Sequence, residues 1–189
     1  MRTEEIQLKF AYARERMTEL ISLEYLPITE AAGARKHQLM EEFLFHLLGG
    51  VEWTAQLLNE LLGAGLDRDE VSLSRLLRHL GASHPLTNRL RSLYAQPRTQ
   101  PMPADPYSDE ALVYRAYNYR HQVTHRRANP FLYRIGSDPP VSLLVDPRDP
   151  AKGPSERPLG QEVDRMLVLF ENGCLQVIAE AEPPLRCAV

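Results

Sequence analysis

The stretch Leu39-Met40-Glu41-Glu42-Phe43-Leu44-Phe45-His46-Leu47-Leu48-Gly49-Gly50-Val51-Glu52-Trp53-Thr54-Ala55-Gln56-Leu57-Leu58-Asn59-Glu60-Leu61-Leu62 decides the fold class. Leu39, Phe43, Leu47, Val51, Ala55, Leu58 and Leu62 recur at three- and four-residue steps, and Leu44, Leu48 and Leu61 widen the stripe. That period belongs to an α-helix with one buried face. The helix is expected from Thr29 or Ala31 to Leu62, stopped by Gly63 and Gly65. Gly49-Gly50 falls in its middle, where a glycine costs about 1 kcal/mol relative to alanine. The pair therefore predicts a kink or a close helix contact. Glu42, His46 and Gly50 share a face, and His46 is expected to be partly buried and hydrogen-bonded.

The same period continues on both sides. Upstream, Ile6, Phe10, Ala13, Met17, Leu20, Ile21 and Tyr25 predict a helix from Thr3 to Tyr25, with Glu4 and Glu5 suited to the positive end of its dipole and Pro27 past its end. Downstream, Val71, Leu73, Leu76, Leu77 and Leu80 predict a short helix from Arg68 or Asp69, capped by Asp67 or Asp69 and ended by Gly81. Leu86, Leu90 and Leu93 allow a further turn or short helix over Pro85 to Tyr94. Pro97, Pro101, Pro103 and Pro106 then exclude a helix and favour an extended connection. Ser108 or Asp109 is the expected cap of the next helix, which should end near Arg127, just before Asn129-Pro130.

Residues 136–160 hold six prolines and three glycines and read as a loop, with Ser142 to Val145 as one possible short strand. The last element, from Gln161 to Ala181, has Val163, Met166, Leu167, Phe170, Cys174, Val177 and Ile178 at helical spacing. Two strands turning at Asn172-Gly173 are the alternative. The fold class is thus all-α: an up-and-down bundle of four to five helices with a Pro-rich loop before the C-terminal helix. The bundle occupies residues 1–135, the loop 136–160, and the C-terminal helix 161–182 packs back on the bundle.

Composition narrows the function. No run reaches the roughly 18 apolar residues of a membrane span, and the charged N-terminus lacks a signal-peptide core. Two cysteines, Cys174 and Cys187, without metal spacing, suit a reducing compartment. A cytoplasmic protein is the expectation, with no membrane, cofactor or metal in its chemistry. The net charge of -3 is unevenly spread. Residues 1–70 carry 7 basic and 13 acidic side chains, residues 71–137 carry 10 and 3, and residues 138–189 carry 5 and 9. A basic middle between acidic flanks marks either a salt-bridged seam or a surface for a polyanion.

Within the basic middle, residues 114–127 pack three tyrosines, two histidines and four arginines into fourteen positions with no acid. Leu112, Ala116, Tyr119 and Val123 form the expected core side, and Arg115, Tyr119, Gln122 and Arg126 a neighbouring face. His121 shares a side with Asn118 and His125. Arg120 and His125 are five residues apart, about 140° around an ideal helix, so they converge only at a helix end or across a two-fold partner. Histidine beside arginine has a specific use. Cleaving RNA without a metal needs a base for the 2′-hydroxyl, an acid for the leaving oxygen and a fixed cation for the phosphorane. Interface burial and salt bridging by the same side chains, or capture of a small anion, are the alternatives.

Arg120-x4-His125 on a late helix of a helical bundle resembles the signature of the HEPN superfamily, an arginine and a histidine separated by four to six residues. Arg115 and His121 fit the same signature with five residues between, so its register has two readings, of which Arg120 and His125 is preferred. The tyrosine- and asparagine-rich approach, His125-Arg126, Pro130-Phe131 and the later Leu143-Leu144-Val145-Asp146-Pro147 look like uncharacterised bacterial members. The residue after the arginine is commonly asparagine there and is His121 here. The resemblance covers residues 3–127 and implies a homodimer with the Arg/His pair at its cleft. It further implies RNA as substrate for members that cleave it, in toxin or defence roles, and an antitoxin or other protein as partner. On this reading Arg120 and His125 are catalytic, supported by Asn118, His121, Arg115 and Arg126. Other members are non-catalytic and serve dimerisation or ligand binding, which implies a structural or regulatory helical dimer as the competing function. Arg75, Arg78, Arg89 and Arg91 are candidates for contacts to nucleic acid.

Overall fold

The computed structural model describes residues 2–24, 29–124, 131–134, 141–145 and 154–182. Six α-helices pack together among them: α1 (Thr3–Ser22), α2 (Glu30–Leu61), α3 (Leu73–Leu80), α4 (Thr87–Ser92), α5 (Asp109–Thr124) and α6 (Leu159–Ala181). The expected count of four to five is corrected to six, because the Pro85–Tyr94 stretch forms a helix of its own. Its Leu86, Leu90 and Leu93 are buried. No helix among the described residues is long and apolar enough to cross a membrane.

The expected stripe of α2 is buried: Leu39, Phe43, Leu47 and Leu58 have no exposed surface. At about 1.5–3 kcal/mol for each large apolar side chain removed from water, this one helix supplies much of the driving force for folding. Among the described helices, α1 and α2 form the most extensive pair. The two run antiparallel, with Arg35 Nε donating to Glu19 Oε1 (3.0 Å) near one end and Lys9 beside Trp53 near the other. Gly50 marks their close contact. A Cβ built there would lie 2.7 Å from Cζ of the buried Phe10 ring. α2 runs through this point as one helix, so the glycine serves approach rather than a kink. Thr29 caps α2, its Oγ1 accepting from Ala32 N (3.1 Å). Gly63 and Gly65, with φ of 60° and 71°, turn the chain away.

α6 packs on both α1 and α2. It is one helix through Asn172-Gly173, not a hairpin. Leu93 lies so close that a Cβ on Gly173 would come within 2.5 Å of its Cδ2, which accounts for the glycine without a turn. α3 begins later than expected, capped by Ser72, whose Oγ accepts from Arg75 N (3.3 Å). Asp67 instead organises a 3-10 turn over Arg68–Glu70. Three short strands, β1 (Phe131–Arg134), β2 (Val141–Val145) and β3 (Pro154–Pro158), pair antiparallel in the order β1-β2-β3 beside α6. β2 was expected; its two partners were not. The prolines that argued against β3 stand at the two ends of an edge strand, where fewer ladder hydrogen bonds are needed.

The charge segregation is partly a seam, formed mainly with α6. Arg115 pairs with Glu162 (2.5 Å) and Arg89 with Glu180 (3.0 Å), both on α6. Several acids of α1 and α2 meet arginines of the same two helices, such as Arg16 with Glu42 (3.4 Å).

Candidate functional site

Ser108 Oγ accepts from Ala111 N (3.1 Å) and starts α5, as expected from sequence. From Ala111 to Ala116 every residue of the helix is buried. It therefore has no single core side: Leu112, Ala116 and Tyr119 are fully enclosed, and so, nearly, is Arg115 at 4 % exposure. Arg115 Nε and Nη2 both lie 2.5 Å from Glu162 Oε1, and Nη1 donates to the Pro106 carbonyl (2.6 Å). Burial pushes the Glu162 carboxyl up and the guanidinium beside it pulls it back only in part. Arg115 thus joins α5, α6 and the Pro-rich connection.

Asn118 is buried one turn on, and its Nδ2 has no hydrogen-bond partner among the described residues. Tyr117 packs edge-on against Tyr94 (centroids 5.5 Å apart) and donates its hydroxyl to the Leu93 carbonyl (3.2 Å). Arg120 and His121 follow, both half-buried. Arg120 acts electrostatically on Tyr117 and on Glu52 of α2. Glu52 Oε2 accepts from the N–H of Leu73 at the start of α3 (3.0 Å). Burial raises its carboxyl above the ordinary range, while the Leu73 N–H and the Arg120 charge draw it down.

The Pro-rich connection reaches this end of α5. Arg98 Nη2 lies 3.2 Å from His121 Nε2. A guanidinium has donors only, so His121 Nε2 is the acceptor in this contact. Arg98 thus engages the Nε2 lone pair of His121, and Arg120 is its neighbour in the chain. Neither Arg98 nor Glu52 was singled out from sequence. Arg98 sits in a Pro-rich connection 23 residues before its partner, and Glu52 is one of many glutamates in the acidic N-terminal segment. His125 and Arg126, with the expected end of α5 near Arg127, lie outside the described residues, as does Cys187. Cys174 is enclosed in the core, and burial pushes its thiol up to about 12.

The four arginines proposed for nucleic acid separate into two pairs. Arg75 is bound to Glu70 and Arg89 to Glu180. Arg78 and Arg91 are exposed, have no carboxylate partner among the described residues, and line a cleft of about 1800 Å³ between α3, α4 and the Pro-rich connection.

His46 is half-buried as expected, but not hydrogen-bonded through its inner nitrogen. Nδ1 is enclosed without a partner, and the ring packs on Tyr12 and Phe45 (5.3 Å to each). Burial, then the Lys9 and Arg16 charges, depress its protonation. No family model, curated protein or solved structure matches the chain.

Proposed function

We propose that the protein is a metal-independent endoribonuclease of toxin or defence type, HEPN-like in its Arg/His pair, acting at the cleft of a two-fold dimer of up-and-down bundles. The contact between Arg98 and His121 carries this reading, because it sets a hydrogen-bond-accepting imidazole among cations at the end of α5, next to Arg120. Arg120 holds the phosphate. His125, five residues on, removes the 2′-hydroxyl proton of the attacking nucleotide or protonates the departing 5′-oxygen. Its two-fold mate takes the other role. The O2′–P bond forms as the P–O5′ bond breaks, leaving a 2′,3′-cyclic phosphate and a 5′-hydroxyl. Arg98, Asn118, His121 and Arg126 assist with charge and position. Of the two registers, Arg120 with His125 is favoured, since Arg115 is committed to Glu162 and could reach a phosphate only by abandoning a buried carboxylate. The test is cleavage of single-stranded and transfer RNA with EDTA present, comparing wild type with His125→Ala and Arg120→Ala. Equal activity in all three would remove this mechanism.

One observation favours a non-catalytic helical dimer as the second reading. Leu8, Tyr12 and Phe45 stand together on the outer face of α1 and α2 with 49 %, 40 % and 55 % of their surface exposed, an apolar face suited to a second copy. Sedimentation of the intact chain decides whether it self-associates.

A further inference from the structure

Gly49 and Gly50 differ in what they accommodate. A Cβ on Gly50 would collide with the Phe10 ring, whereas a Cβ on Gly49 would meet only Lys9 Cδ at 3.8 Å and Cε at 3.9 Å, an ordinary contact. The chain's own packing therefore does not call for a glycine at 49, in the middle of a 32-residue helix, where glycine is destabilising. Glycine also lets an outside group come close to the backbone. Gly49 stands one turn beyond the exposed Phe45 and one turn before Trp53, on the side of α2 that Lys9 of α1 meets.

The surroundings of Gly49 are apolar at the centre and acidic at the edge. Tyr12 and Phe45 each pack a ring on His46 (5.3 Å), and Lys9 Nζ lies over the Phe45 and Trp53 rings at 5.3 and 4.6 Å. Leu8 stands one turn before Tyr12 on α1. Leu8, Tyr12 and Phe45 keep about half of their surface exposed, roughly 300 Å² in all at ~200 Å² for each side chain. At three- and four-residue steps from these three lie five carboxylates, Glu4, Glu5, Glu15, Glu41 and Glu42, and two cations, Lys9 and Arg16. Both cations are engaged: Lys9 with the two rings, and Arg16 with Glu15 (3.5 Å), Glu19 (3.6 Å) and Glu42 (3.4 Å). Glu5 accepts from Arg2 N (3.0 Å) and Glu42 from Gln38 Nε2 (2.8 Å), contacts that leave each carboxylate its charge. Glu4 and Glu41 are exposed and have no cationic partner among the described residues.

We propose that this face docks a basic amphipathic helix of a protein partner, with its apolar stripe on Leu8, Tyr12 and Phe45 and its backbone drawn close over Gly49. The inference goes beyond the endoribonuclease reading and stands or falls without it. The apolar centre alone suits a second copy, but the charges around it do not. A two-fold sets the same patch on both sides, so the excess of carboxylates would meet itself, and like charges across an interface cost affinity. A partner with lysines or arginines flanking its stripe meets the same rim with opposite charge. The size fits a helix as well. A standard interface between globular partners buries about 800 Å² a side, more than half of it apolar, and this centre falls short of that. A helix in a groove needs only a few apolar anchors at steps of three and four.

The probe is a fluorescein-labelled peptide of about 18 residues, or five helical turns, made of leucine and lysine with the leucines at steps of three and four. Its anisotropy is read against the intact chain across a salt series. Wild type is expected to bind it at least about tenfold more tightly than a scrambled peptide of the same composition or a version with glutamate for lysine, and more weakly as salt rises. Gly49→Leu should weaken binding about tenfold or more by filling the line of approach. Its Tm should be no lower than that of wild type, since only the flexible end of Lys9 has to move. Leu8→Ser/Phe45→Ser should weaken binding about tenfold through lost apolar contact, and Glu4→Gln/Glu41→Gln about threefold with a flatter salt dependence. Glu110→Gln/Asp164→Asn, which removes two exposed acids of α5 and α6, should stay within about twofold of wild type. No binding by wild type, equal binding of the scrambled peptide, or unchanged binding in Gly49→Leu overturns the proposal. So does a wild-type dimer in sedimentation velocity that Gly49→Leu turns to monomer, which gives the face to a second copy.

Discussion

Arg115→Met removes the cation that meets Glu162 while keeping most of the side-chain volume. Glu162 has no exposed surface, and its Oε2 already has no hydrogen-bond partner. Without Arg115 the carboxylate is buried alone, a change that costs about 3–5 kcal/mol when one member of a buried pair is removed. For a chain of this size that is a fall of roughly 6–20 °C in Tm. The variant has a pH signature. Burial already raises Glu162 above its ordinary 4.5, and losing the guanidinium raises it further. The native state then holds a proton that the unfolded chain has released, so stability is greatest below about 4.5 and is lost as pH rises through the folded value. Arg115→Met/Glu162→Leu should recover most of the loss, short of about 1 kcal/mol for the Pro106 carbonyl left without its donor. Urea denaturation across a pH series measures all of this. A single variant within about 1 kcal/mol of wild type, or a double variant as damaged as the sum of its parts, would refute the buried pair. It would also reopen the register that places Arg115 at the phosphate.

Gly50→Ala should destabilise by about 1–2 kcal/mol in the same assay, because its Cβ meets a fixed phenyl ring. Gly49→Ala, whose nearest foreign atom is Lys9 Cδ at 3.8 Å, should stabilise by about 0.5–1 kcal/mol through helix propensity. His46 is held below its ordinary 6.5, so the stability it contributes is present above about 6.5 and is lost as pH falls through the lower folded value. His46→Phe should flatten that limb of a thermal-melt pH profile. Phe45→Glu and Leu8→Glu should convert a dimer built on the α1–α2 face to monomer in sedimentation velocity, with Tm nearly unchanged because both side chains are exposed.

The helices were legible wherever one face alone is buried. Seven positions at steps of three and four define α2 without any tertiary information, and Thr29, Gly63 and Gly65 mark its ends. The glycines inside helices were legible only in part: Gly49-Gly50 announced a kink or a close contact, and the neighbour that decides between them, the Phe10 ring for Gly50, is not readable from sequence, nor is Leu93 for Gly173. That neighbour also decides between helix and hairpin at Asn172-Gly173, where the local turn signal is strong. α5 hid its organisation because Ala111–Ala116 is buried on every side, so its sequence shows no clean stripe and an arginine there reads as outward-facing. The partner that turns Arg115 inward, Glu162, is 47 residues away. Arg120, His121 and His125 stand out by type and spacing, whereas Arg98 reaches His121 only because the Pro-rich connection folds back on α5.

The chemistry at the end of α5 is tested most directly by the ends of the RNA fragments. With EDTA present, wild type is expected to release fragments ending in 2′,3′-cyclic phosphate, to leave a strand with one deoxynucleotide at the cleavage site intact there, and to lose this activity in His125→Ala. Fragments ending in 3′-hydroxyl, cleavage at the deoxy position, or full activity in His125→Ala would contradict it.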